Sequence, residues 1–124
     1  MLSIFSVAGV IIKNGSVLLT MEKGNGKVWS CPSFAFSNHD DPATILASGL
    51  KQALNLDVEP DHIIYTNETY HRVFVTTKHV SGQLTNTTYE QARWFDILRV
   101  PTMDVKTDSR LAILKSELLR EKSV

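Results

Sequence analysis

The chain reads as an α/β protein, a mixed β-sheet with helices against it in an α/β/α sandwich, and three features of its sequence predict this. Two β-branched, aliphatic runs near the start, residues 4–12 and 17–21, are joined by Lys13-Asn14-Gly15-Ser16. Apolar side chains recur at helical spacing from Pro42 to Leu54, and again through the closing stretch from Thr107. Between those two helices lie further β-rich runs, at 58–66, at 70–80 and in the stretch ending at Asp96. The order is β-β-(β)-α-β-β-β-α. With 124 residues and no linker, repeat or low-complexity segment, a single domain spanning 1–124 is expected, long enough for one usable core.

An Asn-Gly pair between two apolar runs is a strong local signal for a hairpin. Gly9, inside the first run, weakens a strand and permits close backbone approach, either to a ligand or in a packing bend. Lys23-Gly24-Asn25-Gly26-Lys27 is a flexible, basic loop. Its glycines suit backbone contact with phosphate, yet it lacks the helix that opens after a P-loop, and a solvated turn is the plainer reading. Trp29, Phe34 and Phe36 follow. Alternation puts Phe34 and Phe36 on one sheet face, where they either stack on a base or pack in the core. Cys31 has no neighbour in sequence that would lower its pKa, so a small buried hydrophobe is expected.

The stretch 34–56 dominates the chain. His39, Asp40 and Asp41 form its acidic-imidazole cluster, with Asp41 placed to cap a helix that Pro42 opens. Ile45, Leu46, Leu50, Ala53 and Leu54 then make one apolar stripe, and Asn55 suits the left-handed residue that ends a helix. Gly49 in the helix interior costs roughly 1 kcal/mol relative to Ala, which marks a close packing contact or a bound ligand. Farther on, Glu59-Pro60-Asp61 interrupts a strand entry, and His71 and Arg72, near the start of the next strand run, either contact an anionic ligand or lie on the solvent face. His62 and His79 have no metal-ligand spacing. In the final helix, Thr107–Lys122, Leu111, Leu114 and Leu118 make the apolar face, with Thr107 or Asp108 as its cap.

Val28-Trp29-x-x-Pro32 followed by the 34–56 unit resembles the signature region of the Nudix (MutT-like) family, whose box is G-x5-E-x7-R-E-U-x-E-E-x-G-U with U a bulky aliphatic residue. Laid on this chain, the first Gly falls on Phe34 and the first Glu on Asp40. The Arg-Glu pair falls on Ser48 and Gly49, the Glu-Glu pair on Gln52 and Ala53, and the last Gly on Asn55. Leu50 and Leu56 keep the aliphatic positions. The pair Ser81-Gly82 and the run from Glu90 to Trp94-Phe95 resemble later family sequence, as does the closing helix. The resemblance spans nearly the whole chain and implies a Nudix-like α/β/α sandwich. The related isopentenyl-diphosphate isomerases carry a cysteine near Cys31, but their V-C-G-H-P pattern is missing here.

A hard divalent cation that activates water on a diphosphate needs several carboxylates on one face. From Pro42 to Leu56 there is no Asp or Glu. The expectation is therefore a Nudix-like scaffold without its hydrolytic centre, with no metal and no cofactor. Such a scaffold would bind a partner, or a nucleotide or nucleotide-derived diphosphate through Trp29, Phe34, Phe36, Tyr70 and Arg72, between the early strands and the 34–41 loop, without hydrolysing it. Two alternatives stay open. A divergent hydrolase would gather Mg²⁺ or Mn²⁺ through His39, Asp40, Asp41 and Glu90, with Asp40 and Glu90 the weak catalytic candidates. A structural or oligomerising module, by default a homodimer, is the other.

Thirteen basic and thirteen acidic residues leave no net charge, which argues against a general nucleic-acid binder. No apolar run approaches the length of a membrane span, the start lacks the basic n-region of a signal peptide, and one cysteine fits a reducing compartment. A cytoplasmic protein is expected, and the N-x-S/T matches at Asn14, Asn67 and Asn86 are then chance.

Overall fold

Asn14 and Gly15 both adopt left-handed backbone, at φ 52° and 78°, and this closes the tight turn that their sequence predicts. In the computed structural model, residues 4–24 and 26–122 are described. The turn joins β2 (Ile12–Lys13) to β3 (Ser16–Met21). The first aliphatic run is not one strand, however. β1 (Ile4–Val10) stops before Ile11 and belongs to a different sheet. Ile11 is fully buried, and its carbonyl accepts the Leu18 N–H at 3.0 Å where the chain crosses between sheets.

The larger sheet runs in the order β4 (Ser33–Ser37), β1, β6 (Arg72–Ser81), β5 (Asp57–Asn67). It is mixed, because β1 and β6 are parallel while the outer pairs are antiparallel. The smaller sheet, β2-β3-β7 (Gln91–Asp96), is antiparallel. Glu59-Pro60-Asp61 does not interrupt β5 as predicted; this edge strand absorbs the proline through shifts in its register against β6. A 3₁₀ turn, Ile97–Thr102, leads from β7 toward the last helix.

Both faces are covered. Val7, Ile11, Leu18 and Val75 pack with Leu46, Leu50 and Leu54 of α1 (Pro42–Leu54). Their sequence neighbours Ala8, Val10, Val17, Leu19 and Phe74 pack on the other side with Ala112 and Ile113 of α2 (Thr107–Lys122). Alternate residues thus feed two apolar layers, so the strands read as continuous hydrophobic runs rather than as alternation. Gly9 lets α1 settle close: a Cβ there would stand 3.1 Å from the Leu46 side chain, which makes the glycine a packing device.

Pro42 opens α1, and Asn55 ends it at φ 60° with its N–H directed to the Leu50 and Lys51 carbonyls, as the sequence predicts. Asp41 stands at the cap position, but its side chain accepts no backbone N–H. The carboxylate takes the Thr44 hydroxyl at 2.8 Å instead. The prediction for α2 is also corrected. Leu111, Leu114 and Leu118 are 43%, 55% and 50% exposed, whereas Ser109, Ala112 and Ile113 are buried. Small side chains let this helix lie near the sheet, and the leucines face outward. Asp108 is buried at the helix start, with its carboxylate turned to Arg72 and Asn67.

Candidate functional site

Arg72 opens β6, beside Ser6 on the parallel β1. Its Nε donates to Ser6 Oγ at 3.1 Å and its Nη1 to Asp108 Oδ2 at 2.9 Å. Asn67 Nδ2, from the end of β5, donates to the same Asp108 oxygen at 3.2 Å. The Arg72 and Asp108 side chains are only 22% and 9% exposed, so this pair is a partly buried bridge that ties the start of α2 to the sheet. Over it opens a cavity of about 660 Å³. Tyr65 and Tyr70 give it aromatic walls, Val28 and Leu111 apolar ones, and Lys106, Asp104, Asn67 and Arg72 its polar groups. No ion pair forms on Lys106 among the described residues, and Tyr70 is 68% exposed.

Trp29 builds this wall without facing the cavity. Its N–H donates to the Asp104 carbonyl, and its own carbonyl accepts the Lys106 N–H, each at 2.9 Å. The indole meets Phe95 edge-on at 4.7 Å within the core. Cys31 lies just behind, its N–H donating to Ser109 Oγ at 3.0 Å. Burial pushes the thiol up to about 12, partly offset by the Ser109 side chain acting on the thiol itself, so no reactive thiolate forms there.

The other predicted contacts lie across the sheet. Phe36 stacks on Phe5 at 5.6 Å, and His71 meets Phe5 edge-on at 5.5 Å. The Phe34 ring lies against Gly49 of α1: a Cβ on Gly49 would stand 2.7 Å from it. The five predicted ligand contacts are thus not one site. Tyr70 and Arg72 line the cavity, Trp29 supports it from behind, and Phe34 and Phe36 pack on the α1 side. Asn67, Asp104, Lys106 and the buried role of Asp108 escape sequence reading, because β5 and α2 bring them together from 41 positions apart. Of the basic loop 23–27, Asn25 lies outside the described residues, and Lys23 and Lys27 are exposed.

The face on which the box alignment places its acids has a different chemistry. Ser48 is exposed and donates to the Ile45 carbonyl at 3.3 Å. Gln52 is exposed and Ala53 buried. Thr87 closes over their carbonyls, its hydroxyl 3.2 Å from that of Gln52 and 3.1 Å from that of Ala53. Tyr89 is buried against the same apolar cluster; loss of water raises its phenol pKa, opposed by a backbone hydrogen bond at Ser33. Asp40 accepts the Ser37 N–H at 3.0 Å and hydroxyl at 3.1 Å. Glu90 is exposed where its N–H joins the Met21 carbonyl. Among the described residues no three His, Cys, Asp or Glu side chains converge where a metal would need them. Gly, Gln and Ala at positions 49, 52 and 53 offer no anionic oxygen, so the donor set does not fit a magnesium or manganese ion.

No sequence-family model and no curated protein sequence matches the chain. Its likenesses are in structure. The ORF135 protein of E. coli superposes with a TM-score of 0.80 at 13% identity, over 94% of this chain and 90% of that one. An ADP-ribose pyrophosphatase from Streptococcus suis gives 0.73 at 16%, over 98% and 92%. A MutT Nudix hydrolase from Burkholderia pseudomallei gives 0.73 at 15%, over 90% and 95%. These matches establish the Nudix hydrolase fold. No described helix is long and apolar enough to cross a membrane.

Proposed function

We propose that this chain binds a small nucleotide-like diphosphate in the cavity beside Arg72 and Lys106 and leaves it intact. The observation that carries this reading is the separation of the two faces. On the α2 side, Tyr65, Tyr70, Arg72 and Lys106, with Asp104 and Asp108, line a cavity of about 660 Å³, within the size range of small-molecule sites. Tyr70 offers a ring for stacking, Lys106 a positive charge, and Asn67 an amide. On the α1 side, the helix that would carry a hydrolytic metal has no acid from Pro42 to Leu56. The structural neighbours include a protein described as an ADP-ribose pyrophosphatase, which makes ADP-ribose a first probe.

The test combines the pure protein with Mg²⁺ or Mn²⁺ and a panel of ADP-ribose, dinucleotides, nucleoside triphosphates and nucleotide sugars. Thermal shift and phosphate release are both followed. The expected outcome is a saturable rise in Tm with at least one compound, by mass action, and no release above background. Lys106→Met keeps the side-chain stem and removes the charge; it should weaken that binding about tenfold, which is about 1.4 kcal/mol. Turnover above background would overturn the non-hydrolysing reading in favour of the divergent hydrolase. No shift with any compound would leave a structural module.

A further inference from the structure

We infer that Phe34 and Gly49 are one coupled exchange: the ring on β4 occupies the volume that any side chain at position 49 of α1 would need, so this face stays closed to a metal-binding carboxylate while Phe34 remains. The exchange deepens the non-hydrolysing reading and rests on it for its biological sense. A Cβ at position 49 would meet Phe34 Cδ1 and Cγ at 2.7 Å and Cδ2 at 2.9 Å. Favourable carbon contacts begin near 3.5 Å, so these separations are strongly repulsive. Flipping the ring about its own axis does not clear them, because Cγ stays in place; a turn about the Cα–Cβ bond would have to lift the whole ring off the apolar cluster it packs against. The strand itself is held, with Phe34 opposite Val7 in the β4–β1 ladder. The apolar cluster of Val7, Leu46 and Leu50 receives the ring on the same side. Glycine at 49 and a large ring at 34 are therefore complementary halves of one packing solution. Restoring acids along the helix one at a time does not rebuild a cation site.

A double-mutant cycle on Tm tests the coupling directly. Gly49→Ala in the parent should lower Tm by at least about 4 °C, since the new methyl meets the ring. In a Phe34→Ala background the same change should raise Tm, because alanine favours a helix interior over glycine. A second arm follows Mn²⁺ by electron paramagnetic resonance. Gly49→Glu with Gln52→Glu sets two carboxylates three residues apart on one face. Adding Phe34→Gly to that pair should tighten Mn²⁺ binding at least tenfold. Gly49→Ala raising Tm equally in both backgrounds would overturn the inference, as would equal Mn²⁺ affinity with Phe34 in place. Should the carboxylate variants fail to fold, the alanine cycle alone decides. Hydrolysis by the parent would sink the proposed function and leave this cycle untouched.

Discussion

The thiol of Cys31 loses its water on folding, and that single fact couples stability to pH. Its pKa rises from 9.0 to about 12, chiefly through burial, with Asp108 adding to the rise and Ser109 and Arg72 opposing it. A raised folded value means that the unfolded thiol ionises first. The contribution to stability is complete below about pH 9 and is lost as pH climbs from there toward about 12, by up to about 1.4 kcal/mol per pH unit. Tyr89 shifts in the same direction through burial and Glu22. Urea unfolding between pH 7 and about pH 10.5 should therefore show a steeper fall above pH 9 for the parent than for Cys31→Ala. Identical slopes would mean that the thiol is open to water. The inertness of Cys31 was legible in sequence, since no neighbour lowers its pKa. The fate of Asp41 was not, because Thr44 competes for its carboxylate at 2.8 Å.

At the scale of elements, local rules read well where the responsible residues are adjacent. Asn14-Gly15 fixes a turn, Pro42 a helix start and Asn55 a helix end, each by its own backbone preference. Rules that weigh side-chain bulk failed on α2. Its leucine stripe is the more hydrophobic face, yet Ser109, Ala112 and Ile113 meet the sheet. Packing rewards fit as well as apolar area, and small residues let the helix approach. Leu114→Lys should accordingly change stability by no more than about 0.5 kcal/mol, as exposed substitutions do. Ala112→Leu, at a fully buried position, should lower it by about 1–3 kcal/mol through overpacking. Urea midpoints at constant m-value measure both, and the reverse ranking would return the leucines to the interior. The break at Ile11 is a similar case: nothing local in an unbroken aliphatic run says where a chain changes sheets.

Across the whole molecule, the two faces divide what the sequence presents as one continuous region. On the α1 face the absence of Asp and Glu from Pro42 to Leu56 was legible, since it is visible in a string of residues. The cavity was legible only in part: Tyr70 and Arg72 stood out, but Asn67, Lys106 and Asp108 meet only when β5, the 104–106 segment and α2 are assembled. That division gives a prediction about where a ligand acts. Native-state amide exchange reports local opening, and a ligand that binds only the closed form suppresses it by mass action. At a concentration one hundred times its Kd, ADP-ribose or whichever probe shifts Tm should slow exchange up to about 100-fold at its site. The slowed amides should fall in residues 65–72 and 104–111, the segments that carry most of the cavity's lining side chains, because a molecule bound there would join β5 and β6 to the start of α2. Residues 34–41 and 83–90 should keep their rates, since Phe34 and Thr87 already pack that side. Slowing confined to 34–41 and 83–90 would place the ligand against α1, and the cavity would then lose its assigned role.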